Sequence, residues 1–129
     1  MFGRRSVVAL ASCALLLGCG PAEPLRVGFI GGLSDRNSDV GQSGNNGVVL
    51  AVEQINRAGG IRGRQVELIS RDDAQNPATA ERSARELAAA KVDAVIGPFT
   101  SGVAAAVVPV LAQSQTLAIS PTLTSMAFY

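Results

Sequence analysis

The sequence has no histidine and no tryptophan, one tyrosine and two cysteines, and only 16% of its 129 residues are charged. Each shortage excludes a class of function. Without histidine, no Ser-His-Asp triad, Cys-His dyad or zincin helix can be assembled. Two thiols and no imidazole are too few ligands for a structural zinc site. A net charge of +1 and 4% aromatic residues lack the basic surplus and the aromatic or Arg clusters of a nucleic-acid-binding domain. The apolar content, 47%, is too high and the charge too low for a disordered chain. The length fits one domain or part of one. No cofactor and no metal are expected.

What is present begins with a leader. Arg4 and Arg5 form a positive start, and Val7 to Leu17 is an apolar run of eleven residues. A bilayer span needs about 20 apolar residues, so this run has the length of a signal-peptide core. Leu16-Leu17-Gly18-Cys19 resembles a bacterial lipobox, with Leu17 a mild departure from the small or β-branched residue usual there. The resemblance implies cleavage before Cys19 and acylation of its sulfur, which would hold the protein on a membrane surface. The alternative is an ordinary secretory signal in which Cys19 is incidental. Residues 1–18 are therefore expected to be a lipoprotein signal peptide, 19–24 a Pro/Gly tether, and 25–129 the folded part. Cleavage leaves nine basic and ten acidic residues. Cys13 departs with the leader, so no disulfide can form.

The folded part alternates strand and helix signals. Leu25 to Ile30, Gln65 to Ser70, Val92 to Ile96 and Thr116 to Ile119 are short β-rich runs closed by turn residues. Residues 33–46 are polar and Gly-rich and are expected to form a loop. Val48, Ala51, Val52 and Ile55 then recur on one helix face, with Ser43, Asn45 or Asn46 as possible caps and Gly59 just past the end. Asn76-Pro77 opens a second helix with apolar Ala80, Ala84 and Leu87 and a surface Glu81–Arg85 pair. Ser101 to Ala112 is a third helix, in which Pro109 is expected to kink or end it locally. The pattern predicts an α/β fold, a doubly wound parallel sheet with helices on both faces.

Such sheets bind ligands at the C-terminal ends of their strands. There, Thr100 and Ser101 open a helix, so hydroxyls and unpaired N–H groups converge on one spot suited to a carboxylate. Ser120, Thr122 and Thr124 add hydroxyls from the next loop. The plainer reading is that Thr100 or Ser101 is an N-cap and 120–125 an ordinary turn. Gly28-x-x-Gly31-Gly32 does not fit the dinucleotide fingerprint, since a polar loop follows it. Asp72-Asp73 reads as helix-entry polarity and loop hydrogen bonding, not as a metal or catalytic pair. No nucleophile has a base beside it, so no enzyme is expected.

Several stretches in order, Val27 to Ser34, Gly41 through Gly47 to Ile55-Asn56, Gly59-Gly60-Ile61-x-Gly63, Asp72-Asp73-Ala74, Val95-Ile96-Gly97-Pro98 and Ile119-Ser120-Pro121, resemble the type I periplasmic solute-binding proteins of ABC transporters, the branched-chain amino-acid-binding group. The resemblance covers residues 25 to 125 and only the first half or less of a family member. It implies the N-terminal lobe of a two-lobed, extracytoplasmic protein that closes on a small ligand, an amino acid or similar carboxylate or amide. The implied partners are ABC permease subunits and a membrane, through the lipid anchor. It further implies that Ser101 and Thr124 hold the ligand carboxylate, and that main-chain groups near Thr122 meet its ammonium. Thr100 and Gln75 fall where some members carry a disulfide, which this chain lacks. Val40 replaces a frequent aromatic, and Asp35-Arg36 a usual Gly-Pro. An alternative is the ligand-sensing module of an envelope signalling system.

Overall fold

The four β-rich runs become one parallel sheet in the order β2-β1-β3-β4: β1 is Leu25–Gly31, β2 Val66–Asp72, β3 Ala94–Ile96 and β4 Leu117–Ile119. The computed structural model describes residues 20–35 and 38–128. The expected signal peptide and the expected acylation at Cys19 lie outside the described residues. Three helices connect the strands: α1 (Asp39–Arg57), α2 (Pro77–Ala89) and α3 (Ser101–Gln113), with a 3-10 turn at Met126–Phe128.

Alternation along the strands sorts the side chains onto two faces. Ile30, Ile69 and Val95 face α2 and α3, where they join Ala80, Ala84, Leu87, Val103, Val107 and Leu111 in the main core. Burying each of the larger of these side chains contributes roughly 1.5–3 kcal/mol. The alanines of α2 allow it to lie close to α3 and to the sheet. Gly28 completes the fit: a Cβ there would stand 3.1 Å from a Leu87 methyl and 3.0 Å from one of Val95. That packing accounts for Gly28, whose spacing to Gly31-Gly32 does not fit the dinucleotide fingerprint.

α1 covers the other face over β1 and β2. It begins eight residues earlier than its apolar face predicts, at Asp39, with Ser38 before it, so residues 39–46 are helix and not loop. Ser43, Asn45 and Asn46 are interior positions and not caps. The reason is tertiary. Gly41 lies against the backbone of Gly32, where a Cβ would stand 2.0 Å from the carbonyl oxygen. Gln42 Nε2 donates to Leu33 O (2.9 Å) and to Ser38 Oγ (2.7 Å). Gly44 lies beneath the Phe99 ring. These close approaches repay weak helix formers that propensity leaves out.

Two other helix signals act as read, and a third does not. Asn76 Oδ1 caps α2 by accepting from Ala78 N (3.0 Å) and Thr79 N (3.1 Å). Gly59 follows α1 at φ +102°. Pro109 does not end α3, which runs on to Gln113. The carbonyl a proline leaves without its helical donor belongs to the residue four before it. Here that residue is Ala105, and both Ala105 and Pro109 are exposed.

Beside α1 the same face is open over β3 and β4. A hollow of about 330 Å³ is lined there by Val27, Val48, Val52, Ile96, Phe99 and Pro121. Leu117 and Ile119 of the edge strand β4 are 61% and 55% exposed.

Candidate functional site

Parallel strands bring four loops to one edge, and hydrogen bonds fasten them in two pairs. The first pair joins the loop after β1 to the loop after β2. Asp72 Oδ1 accepts from Leu33 N (2.8 Å) and from Ala74 N (2.8 Å), and Oδ2 accepts from the Ser34 hydroxyl. Gln75 Nε2 donates to Asp35 Oδ1 (3.1 Å). This is the loop bonding expected of Asp72. Burial pushes its carboxyl up, but the Ser34 hydroxyl and the surrounding N–H groups outweigh it and hold the group below the ordinary carboxylate range.

Asp73 behaves oppositely. It is 1% exposed. Its Oδ1 accepts from Gln75 N (2.8 Å), while Oδ2 is buried without a hydrogen-bond partner. Burial, reinforced by the negative charges of Asp72 and Asp35, pushes its carboxyl above the usual value against the Gln75 N–H. Its depth is not legible from an Asp-Asp dipeptide. Among the described residues, no group of three or more His, Cys, Asp or Glu is placed to hold a metal ion.

The second pair joins the loop after β3 to the loop after β4. Ser120 Oγ donates to Pro98 O (2.6 Å) and Thr122 Oγ1 donates to Phe99 O (2.6 Å). Both hydroxyl protons are thus spent on holding the loops together, although each oxygen keeps acceptor capacity. Phe99 is buried, with its ring 5.1 Å from that of Phe29 and tilted by 40°. The fastening sets the start of α3 beside the β4 loop.

At that start the polar groups are unspent. Thr100 is the N-cap residue, but its side chain makes no capping bond, in contrast to Asn76 on α2. The Thr100 and Ser101 hydroxyls, both on half-buried residues, make no hydrogen bond among the described residues. An uncapped helix start presents N–H groups and the positive end of the helix dipole. Thr124 is exposed and its hydroxyl is likewise without a hydrogen bond among the described residues. Of the five residues singled out from the sequence, Thr100, Ser101 and Thr124 therefore have hydroxyls available, while Ser120 and Thr122 fasten the loops. What the reading of residues 33–46 as a loop missed is that Gly41 and Gly44 are helical glycines made for close approach, Gly41 to the Gly32 backbone and Gly44 to the Phe99 ring.

Residues 24–127 match the sequence profile of a family described as "Periplasmic binding protein". The chain is 37% identical over 101 residues to the Leu/Ile/Val-binding protein BraC3 of Rhizobium johnstonii, covering 78% of this chain and 28% of that protein. A Brucella suis Leu/Ile/Val-binding protein homolog is 32% identical over 103 residues, 79% of this chain and 26% of the homolog. Among solved structures, the branched-chain amino acid transporter substrate binding protein LivJ from Streptococcus pneumoniae, crystallised with isoleucine, superposes with a TM-score of 0.77 and 36% identity. It covers 80% of this chain and 30% of that one. An ABC transporter substrate-binding protein from Sphaerobacter thermophilus gives a TM-score of 0.74 and 31% identity, over 81% of this chain and 28% of its own. The chain thus spans less than a third of the length of these relatives. Sequence profile and fold agree, and the chain belongs to the periplasmic binding protein family, with the fold of its type I members.

Proposed function

We propose that residues 25–129 form the N-terminal lobe of the substrate-binding component of an ABC importer, outside the cytoplasm and anchored to a bacterial membrane through an acylated Cys19. The ligand is an amino acid or a related small polar solute. Ser101 and the first N–H groups of α3 receive its carboxylate. Thr124 supplies a second hydroxyl, and the main chain near Thr122 meets its ammonium. The observation that carries this reading is the uncapped start of α3, held beside the β4 loop by the Ser120 and Thr122 bonds. The names of the relatives, which are Leu/Ile/Val-binding proteins and transporter components, support the substrate class.

The remaining contacts belong to a second lobe. The share of each relative that the chain covers and the open apolar face beside α1 both support one lobe of a larger body. Closure of two lobes excludes water and signals occupancy to a permease, so this lobe alone is expected to bind weakly.

Saturation-transfer NMR on the methyl groups of isoleucine tests the site. Ser101→Ala removes a hydrogen bond to a charged group, worth about 1.5–3 kcal/mol, and is expected to weaken the interaction about tenfold or more. An unchanged signal in Ser101→Ala would remove Ser101 from the site.

A further inference from the structure

The edge of the sheet opposite the candidate site is the edge from which the tether leaves. Leu25 N donates to Gln65 O (2.9 Å) as β1 begins. The two residues before it are also fastened, because Arg64 Nε donates to Glu23 O (2.7 Å) and Arg64 Nη2 to Pro24 O (3.4 Å). Only Gly20, Pro21 and Ala22 separate Cys19 from a residue bound to the folded body. Four Cα–Cα steps span at most about 14 Å. A lipid on Cys19 would therefore hold this edge within reach of the headgroups.

The same edge is basic. The C-terminal turn of α1 and the connections into β2 and β3 carry Arg57, Arg62, Arg64 and Lys91, and Arg26 stands at the start of β1. Three nearby carboxylates are engaged, since Glu23 and Glu67 lie 3.7 and 3.5 Å from the Arg26 guanidinium and Asp93 accepts from Arg26 N (2.8 Å), while Glu53, one turn before Arg57, is exposed and in no ion pair among the described residues. Arg57, Arg62 and Lys91 are exposed and make no ion pair among the described residues. Lys91 lines a recess of about 180 Å³ with Arg26 and Arg64. The opposite edge has the inverse charge: its loops carry Asp35, Asp72 and Asp73, Asp39 opens α1, and Arg36 is the sole cation of those loops.

The geometry points to the N-terminal edge of the sheet as a surface that docks on an anionic phospholipid layer, with Arg57, Arg62 and Lys91 facing the headgroups and the α3 start turned away from them. This rests on the reading that Cys19 is acylated. So short a tether lets the three unpaired cations come within about 8–10 Å, the range over which a surface potential fades. Each cation near such a surface favours the docked state about fivefold.

The test uses the full chain produced in bacterial cells, whose mass reports acylation of Cys19. The acylated protein is incorporated into vesicles of phosphatidylcholine, alone or mixed with phosphatidylglycerol, and amide hydrogen exchange is followed. Exchange in residues 57–64 and 90–93 is expected to slow several-fold on the mixed vesicles only. The slowing should vanish at high salt and in R57Q/R62Q/K91Q, while residues 98–102 exchange alike on both. Equal exchange of the basic edge on both vesicles, from an acylated chain, overturns the docking proposal and leaves the anchor standing. A mass showing unmodified Cys19 overturns the anchor and the docking with it.

Discussion

Asp72 and Asp73 are neighbours that titrate in opposite directions, because one meets donors and the other meets burial and like charge. Asp73→Asn keeps an oxygen for Gln75 N and removes an unpaired buried carboxylate, so it is expected to stabilise the fold at neutral pH by about 1 kcal/mol. The sign follows from linkage. A carboxyl raised in the folded state takes up its proton in the folded protein first, so the native protein recovers stability as pH falls through that raised value. The advantage of the Asn variant should therefore shrink on acidification, as urea unfolding at two pH values would show. An advantage that persists in acid would rule out burial of the charge as its source. Gly41 tests packing at the same scale. With a Cβ 2.0 Å from Gly32 O, Gly41→Ala must move α1 or β1, and a loss of about 3 kcal/mol is expected in urea unfolding.

Between elements, α2 and α3 make a matched pair, one capped by its own side chain and one not. Asn76→Ala should cost about 1 kcal/mol of stability. Thr100→Ala should cost only a few tenths, since the Thr100 hydroxyl caps nothing. Comparable losses from both would mean that α3 is capped in solution and that its start is not free for a ligand. The elements also show what the sequence can state. Strands and α2 are legible because their signals are local: apolar runs between turn residues, a capping Asn before Pro77, an alanine face. The start of α1 is not legible, because Gly41, Gln42 and Gly44 are helical through contacts with Gly32, Leu33, Ser38 and Phe99. The site divides in the same way. The start of α3 is visible from Thr100-Ser101 following a Gly-Pro turn. The employment of Ser120 and Thr122 as fasteners depends on the carbonyls of Pro98 and Phe99, which only the sheet order brings near.

At the scale of the whole molecule, the fold is a sheet with one face closed by α2 and α3 and the other half-covered by α1. Hydroxyls and helix-end amides stand at one edge, and unpaired cations at the other. On the proposed reading this lobe meets the charged groups of a small ligand and leaves the remaining contacts to a second lobe, so affinity for the chain alone is expected in the millimolar range or weaker. The most direct measurement is a backbone amide shift titration of the chain with isoleucine. The amides of Ser101, Gly102 and Val103 and of the 122–124 segment should move together, without saturating below millimolar ligand, while those of Arg62 and Lys91 stay in place. Shifts confined to other residues, no shifts at all, or saturation at micromolar ligand would contradict a carboxylate site at the start of α3 in a single lobe.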